Sequence, residues 1–292
     1  MPLPHHARYE YSPIPARADF AWPEGKRLAV YVGMNVECFG FASGLGAELA
    51  PGGPQPDVLN HAWRDYGNRV GLWRMIELFD RLAMPCTALI NSEIYAAAPG
   101  LAEAFLARGD EIAGHGRSNA ERQGILPEAE EAALIAEATA VLTAQTGLAP
   151  KGWLGPWISQ SAVTPDLLHE AGYEYLLDWC HDDQPTWMQT RKGRILSVPY
   201  PQELNDIPQI VGRKREGAEF CDMILAAFDV MLAESARRPL VMGIALHGYI
   251  MGQPHRFYHL ERALTQLRAK AGDAVWFATA GAINDHFRSL GL

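Results

Sequence analysis

The chain has 292 residues, is 48% hydrophobic and carries a formal net charge of −9, enough apolar material for one large core. With no basic block, nucleic acid is not an expected partner; the excess acid speaks for solubility. Four scattered cysteines (Cys38, Cys86, Cys180, Cys221) without a C-x-x-C exclude a disulfide framework and a cysteine zinc site, and no apolar run nears the roughly 18 residues of a membrane span.

Residues 1–27, with Pro2, Pro4, Pro13, Pro15 and Pro23, predict an irregular arm that wraps a neighbour or covers a barrel end. They lack the apolar region of a secretion signal, so a reduced, cytoplasmic setting is expected. Residues 27–34 are an apolar, β-branched run that reads as a buried strand. It delivers Asn35-Val36-Glu37, a carboxylate that is either solvated or functional. Residues 39–68, rich in Gly and Pro, predict a lid-like loop, since loops this long usually bind or cover something. Its end, Trp63-Arg64-Asp65-Tyr66-Gly67, mixes residue types as the wall of a small-molecule pocket would. Val70, Trp73, Leu78 and Leu82 recur near helical spacing and predict a helix over 69–83, broken by Pro85. A strand over 86–90 ends at Asn91-Ser92, and a helix over 93–108 stops at Gly109.

Residues 111–113 are a brief extended run, after which His115, Arg117, Ser118 and Asn119 stand where a parallel strand would end. Such ends are where α/β enzymes place their chemistry, although His115 alone would read as a structural histidine. A helix over 127–146 has Pro at its start and Gly147 past its end. A short strand over 151–154 leads into Gly155-Pro156-Trp157-Ile158-Ser159, and Thr164-Pro165 opens a helix closed by Gly172. A strand over 175–177 ends at Asp178-Trp179, and one over 195–198 ends at Pro199-Tyr200. Helix 220–235, strand 240–246 ending at His247-Gly248-Tyr249, helix 257–271, strand 275–278 and helix 281–289 complete the chain. This alternation implies parallel pairing with right-handed crossovers. Glu37, Asn91, His115, Trp153, Asp178, Tyr200 and His247 all fall at or just past strand ends, a phase that points to a barrel mouth that binds something.

Asn35-Val36-Glu37, His115-Gly116-Arg117-Ser118-Asn119, Gly152-Trp153-Leu154-Gly155-Pro156, Asp182-Asp183-Gln184-Pro185 and Leu246-His247-Gly248, taken in order, resemble the polysaccharide deacetylase superfamily. Tyr66-Gly67-x-Arg69-Val70-Gly71 and Asn205-Asp206 are similar to its intracellular branch of cofactor-free allantoinases and cyclic imide hydrolases. The resemblance spans roughly residues 25–285 and implies a distorted (β/α) barrel, often seven-stranded, forming a single domain over 1–292. The sugar deacetylases of the superfamily carry Asp-Asp in the first motif and His-x-x-x-His in the second; here Glu37 stands alone and Asn119 replaces the second histidine. An amide is a poor zinc ligand, so no cofactor is expected; if a divalent metal such as zinc is bound, Glu37 and His115 would hold it.

The reaction expected from this resemblance is hydrolytic opening of a small cyclic imide or related cyclic amide. Glu37 is the expected general base, its pKa raised if the site is dry. His115 and His247 are candidates for oxyanion donor and general acid, in either order. Arg117, Asn119, Trp153, Trp157, Asp183 and Asn205 are the candidate substrate contacts; core packing is the alternative for the tryptophans, and a turn or ion pair for Asp183. Cys38 has no base held against it and is not expected to act as a nucleophile. Two rivals stay open: a metal-dependent N-deacetylase of a small sugar conjugate, and a non-catalytic metabolite binder. No G-x-S-x-G, dinucleotide or P-loop motif is present. The arm, Tyr9, Tyr11 and Phe20, which read as exposed, and the family habit imply a homo-oligomer, tetramer favoured; no membrane partner is expected.

Overall fold

Strand β1, Leu28–Val36, is buried along its whole length and organises the sheet. The computed structural model describes residues 6–292; residues 1–5 of the arm, with Pro2 and Pro4, lie outside the described residues. The remaining strands are β2 (Cys86–Ile90), β3 (Glu111–Gly114), β4 (Gly152–Trp153), β5 (Tyr175–Leu176), β6 (Thr186–Thr190), β7 (Gly193–Ser197), β8 (Leu240–His247) and β9 (Val275–Phe277). The sheet runs β6-β7-β5-β4-β3-β2-β1-β8, with β9 on the lower half of β1. All pairings are parallel except β6 with β7. Seven parallel strands therefore make the wall of a distorted (β/α) barrel. Between β7 and β8 there is no ladder. An isolated bridge, Asn205 to Ala245, and a 2.8 Å bond from Val241 N to the Asp183 carbonyl span the seam.

Alternation along β1 decides what faces the barrel mouth. Leu28, Val30, Val32, Met34 and Val36 pack outward against helices, whereas Ala29 and Tyr31 belong to the inner cluster with Leu89, Ala113, Tyr175 and Tyr200. Asn35 continues the inner face, and Glu37 follows one period later. In register, Asn35 lies opposite His247 on β8 and Val36 opposite Ile90 on β2.

Three elements differ from the sequence reading. The predicted loop 39–68 is irregular only in its first part: Asp57 caps Asn60 N at 3.1 Å and starts the helix Val58–Tyr66. A π-helical turn, Gly67–Gly71, then leads into the helix Leu72–Arg81. The helix predicted over 93–108 is cut at Pro99-Gly100 into Ile94–Ala97 and Leu101–Ala107. Strand β6 went unread because a single residue, Met188, is buried along it, and its turn lacks an Asn-Gly signal.

The arm is clamped to the barrel by side-chain contacts along its length. Arg8 pairs with Asp166 at 2.6 Å and Arg17 with Asp182 at 2.5 Å, and the buried Trp22 indole donates to the Leu240 carbonyl at 3.0 Å. Of the aromatics expected to be exposed, Tyr11 is, but Tyr9 stacks on His181 and Phe20 packs on Trp22 and Phe287. Among the described residues no helix is long and apolar enough to cross a membrane.

The π-turn rests on the short helix Gly248–Met251 with almost no clearance. A Cβ on Gly71 would stand 2.0 Å from the Gly248 carbonyl oxygen, and one on Gly67 would stand 2.7 Å from Tyr249 N. Gly71→Ala is therefore expected to overpack this contact and cost about 1–3 kcal/mol. A urea midpoint equal to the parent's would show that the two turns are not in tight contact.

Candidate active site

Glu37 leaves β1 on the inner face and is 5% exposed. Four side chains surround its carboxylate. The Asn119 amino group donates to Oε1 at 2.5 Å, and the Tyr249 hydroxyl donates to Oε2 at 3.0 Å. His115 Nε2 and His247 Nε2 approach the same Oε1 at 3.3 Å and 3.5 Å. Asn68 donates to the Glu37 carbonyl at 2.8 Å, so the π-turn also fixes the backbone here.

A second layer orients these groups. Asn91, at the end of β2, accepts from Cys38 N at 2.9 Å, which turns its amino group toward the His115 carbonyl and toward Asn119 Oδ1 at 3.0 Å. The Asn119 oxygen is thereby occupied and its amino group must face Glu37. His115 Nδ1 donates to the Leu154 carbonyl at 2.7 Å, leaving Nε2 toward Glu37. Asp206 accepts from His247 Nδ1 at 2.6 Å and from its backbone N at 2.8 Å.

Charge follows from this packing. Burial alone would pull His247 down, but the Asp206 and Glu37 carboxylates on either side outweigh it and raise the imidazole to about 10. Burial alone would raise Glu37, yet the charge of His247 and hydrogen bonds from both histidines hold it at about 2. The expected raised base is thus reversed: dryness acts as anticipated, and the imidazolium overrides it. Burial pushes Asp206 up, with His247 restraining the rise, and burial followed by Glu37 keeps the Tyr249 phenol protonated. Burial and Glu93 push the Cys38 thiol up to about 12, unsuited to nucleophilic attack.

The cavity above these groups measures about 210 Å³. Of the residues singled out from sequence, Glu37, His115, Asn119, Trp157, Asn205 and His247 line it together, joined by Asn35 and Tyr200. Three others lie elsewhere. Arg117 pairs with Glu121 at 2.8 Å and Glu137 at 3.1 Å and does not line the cavity. Trp153 is fully buried in the core, its indole donating to Gln123 at 3.1 Å. Asp183 reaches β8 at Val241; at ~3.3 Å per residue that is about 20 Å from His247. Asp206, Asn91 and Tyr249 had been noticed only as strand-end or motif residues without a role. The signal for Tyr249 was its place two positions past His247.

The donor set does not suit a zinc ion. Of the two expected ligands, Glu37 Oε1 already accepts from Asn119. The position of a second imidazole holds an amide whose oxygen is committed to Asn91. The other nearby imidazole, His247, turns Nδ1 to Asp206 at 2.6 Å and Nε2 toward Glu37 at 3.5 Å. Among the described residues no group of three His, Cys, Asp or Glu is arranged to hold a metal.

The His247 pair gives a signed pH dependence. Its folded pKa, about 10, exceeds the ordinary 6.5, so its contribution is complete below 6.5 and is lost as pH rises through 10. Asp206→Asn is expected to cost about 3–5 kcal/mol near pH 6, the deficit shrinking toward pH 10 when unfolding is measured across that range. A deficit that grows with pH would mean that folded His247 is neutral.

No family model matches the chain. It is 26% identical over 291 residues to a "Putative polysaccharide deacetylase" of Schizosaccharomyces pombe, covering 88% of this chain and 89% of that one. A solved structure named "probable Polysaccharide deacetylase" from Pseudomonas aeruginosa PAO1 superposes with TM-score 0.81 at 30% identity, covering 92% of this chain and 93% of that one. The structure of Puue allantoinase superposes with TM-score 0.82 at 28% identity, covering 92% of each. The shared fold, extending over nearly the whole chain at this identity, places the protein in the polysaccharide deacetylase superfamily, as a hydrolase of the deacetylase type.

Proposed function

We propose that the protein opens a small cyclic amide or imide by hydrolysing a C–N bond, without a metal. The observation that carries this reading is the Glu37 carboxylate. It is ringed by two histidines, an amide and a phenol, with the amide standing where a second metal-binding imidazole would be. A cavity of about 210 Å³ has room for one small ring, and Puue allantoinase is a structural neighbour.

In this mechanism Glu37 takes a proton from water as the water oxygen attacks the ring carbonyl carbon. The developing oxyanion is met by the second amino hydrogen of Asn119, while His115, with Nδ1 bonded to the Leu154 carbonyl and Nε2 toward Glu37, holds the base in place. As the C–N bond breaks, the ring nitrogen takes the Nε2 proton of His247, which Asp206 orients. Glu37 is a weak base only while His247 is charged. His247 gives up its proton as the C–N bond breaks, after Glu37 has taken the proton of water, and the loss of that charge then strengthens the hold of Glu37 on its proton until the pair resets. Afterwards Glu37 holds one proton more and His247 one fewer, and the 3.5 Å gap between them returns it.

The relatives named as deacetylases favour a second reading, removal of an acetyl group from a small sugar conjugate. Self-association into a tetramer and a cytoplasmic setting belong to the same proposal, and sedimentation would read the first. The deciding experiment is dialysis against a strong chelator, followed by ring opening of succinimide, maleimide, hydantoin and allantoin read by ultraviolet absorbance. The expected result is turnover that survives the chelator and falls ~10²–10⁴-fold in Glu37→Gln. Turnover lost to the chelator and restored by zinc would overturn the metal-free mechanism. Failure on every ring, with acetate released from an acetamido sugar, would favour the deacetylase.

A further inference from the structure

Asn35, Tyr200 and Asn205 line the cavity above Glu37, and each carries a hydrogen-bonding group that the protein itself leaves unused. The fold brings the three together. Gly33 of β1 stands in register with Ala245 of β8, and Asn205 bridges to Ala245 from the other side. A Cβ on Gly33 would come within 3.0 Å of Tyr200 Cε2, so the missing side chain is what lets the phenol ring lie against β1. The ring carries its hydroxyl to Asn35, the next inward residue of the strand, whose amino group donates to it at 3.1 Å. Asn35 stands opposite His247.

Each orientation is fixed by a partner that can act in one sense only. The Leu246 carbonyl, at 3.2 Å, can only accept, so the Asn35 amino group faces it as well as Tyr200. Both amino hydrogens are then used, and Asn35 Oδ1 has no donor among the described residues. The Tyr200 oxygen accepts from Asn35, so its own hydrogen points elsewhere, and no acceptor among the described residues takes it. Burial pushes this phenol up, so the hydrogen is kept. Ile207 N, at 3.0 Å, can only donate, so it binds Asn205 Oδ1 and leaves the Asn205 amino group free. Neither Asn35 Oδ1 nor the Asn205 amino group is sealed from solvent, as the second Asp178 oxygen is. The cavity therefore offers one neutral acceptor and two neutral donors beside the Glu37 machinery.

We infer that Asn35, Tyr200 and Asn205 read the edge of the substrate ring: the ring N–H donates to Asn35 Oδ1, and the carbonyl that water does not attack accepts from Tyr200 and Asn205. The inference rests on the ring-opening reading and narrows it to rings that carry an unsubstituted N–H between two carbonyls. The group counts match, since an N–H has one hydrogen to give and a carbonyl oxygen two lone pairs to receive. The placement suits the reaction too. A nitrogen held at Asn35 lies on the strand beside His247, which supplies its proton as the C–N bond breaks. The attacked carbonyl is left to Asn119. A ring lacking the N–H would bury Asn35 Oδ1 unpaired, and a single acetamide carbonyl held at Asn119 would leave Tyr200 and Asn205 without an acceptor, both at a cost in binding.

The test compares whichever ring the protein opens faster with two of its analogues. For succinimide these are N-methylsuccinimide and monothiosuccinimide; for hydantoin, 3-methylhydantoin and 2-thiohydantoin. Opening of the sulfur rings is read at their remaining carbonyl, by mass spectrometry of the product. N-methylation is expected to lower kcat/KM at least ~10²-fold. Asn35→Ala removes the acceptor and makes room for the methyl group, and should shrink that ratio at least ~10-fold. Tyr200→Phe should lose at least ~10-fold on the oxygen ring and stay within about twofold on the sulfur ring, because sulfur accepts hydrogen bonds poorly. Damage to the fold would slow both rings alike, so Tyr200→Phe also decides the matter should Asn35→Ala fail to fold. A protein that opens neither succinimide nor hydantoin loses the ring-opening reading and this inference together. Three results would overturn the recognition alone and leave ring opening standing. The N-methyl ring could open about as fast as its parent. Asn35→Ala could leave the ratio unchanged, in which case shape excludes the methyl group. Tyr200→Phe could slow the oxygen and sulfur rings equally, or neither of them.

Discussion

A single buried carboxylate sets the terms for the mouth of this barrel. Removing Glu37 from water would be prohibitive without compensation, since an isolated buried charge neutralises itself by shifting its pKa. Here compensation comes from every side: the amide of Asn119, the phenol of Tyr249 and the two imidazoles. The four partners arrive from three elements. Asn119 and His115 follow β3, and His247 ends β8. Tyr249 rides the short helix after β8, and Asn91 at the end of β2 aligns the amide. The carboxylate thus ties four segments together, and the glycine contact between the π-turn and the Gly248–Met251 helix matters because it sets where Tyr249 stands.

The same arrangement separates two titrations that free side chains would have brought close together. An ordinary glutamate and an ordinary histidine differ by 2 units (6.5 − 4.5); in this pair they stand at about 2 and about 10. Asp206 is the reason the gap is so wide on the histidine side. Between two carboxylates, His247 is locked as a cation and a proton donor, and it cannot serve as a resting base. An acid and a base whose strengths are set by one another also share one reset path, the short gap between Oε1 and Nε2.

Most of the architecture could be read before folding because it rests on local pattern. The buried runs of β1, β2 and β8 are continuous and apolar, and Gly109 and Gly147 punctuate helices where expected. The period of two along β1 puts Asn35 and Glu37 on the inner face, and that too is in the sequence. What could not be read depends on long-range placement. Arg117 sits beside His115 in sequence, yet it turns away to pair with Glu121, four residues along, and with Glu137. Trp153 shares a strand end with the site, but its side chain points to the outer core and finds Gln123. The sign of the Glu37 shift was beyond reach, since it required knowing that two imidazoles and not apolar groups would face it.

The wall formed by Trp157 shows where the fold accepts local strain to shape the cavity. Trp157 and Ile158 both adopt left-handed backbone angles, φ 63° and 52°, conformations that cost non-glycine residues of order 1–3 kcal/mol each. Two hydrogen bonds hold the turn in place. The Trp157 indole donates to the Asn119 carbonyl at 3.0 Å, and Gly155 N donates to Asp178 at 2.8 Å. Asp178 is itself buried, which pushes its carboxyl up to about 7, and its second oxygen has no partner among the described residues. Such an anchor is poor value for stability alone, because an amide of the same shape would hold Gly155 N without a buried charge to solvate. Its effect is geometric. It fixes the turn so that the Trp157 ring closes the cavity while its indole grips the segment that presents Asn119 to Glu37. Cavity shape and carboxylate geometry are therefore set by one strained turn, and a change in that turn would alter which ring fits and how Glu37 is held at the same time.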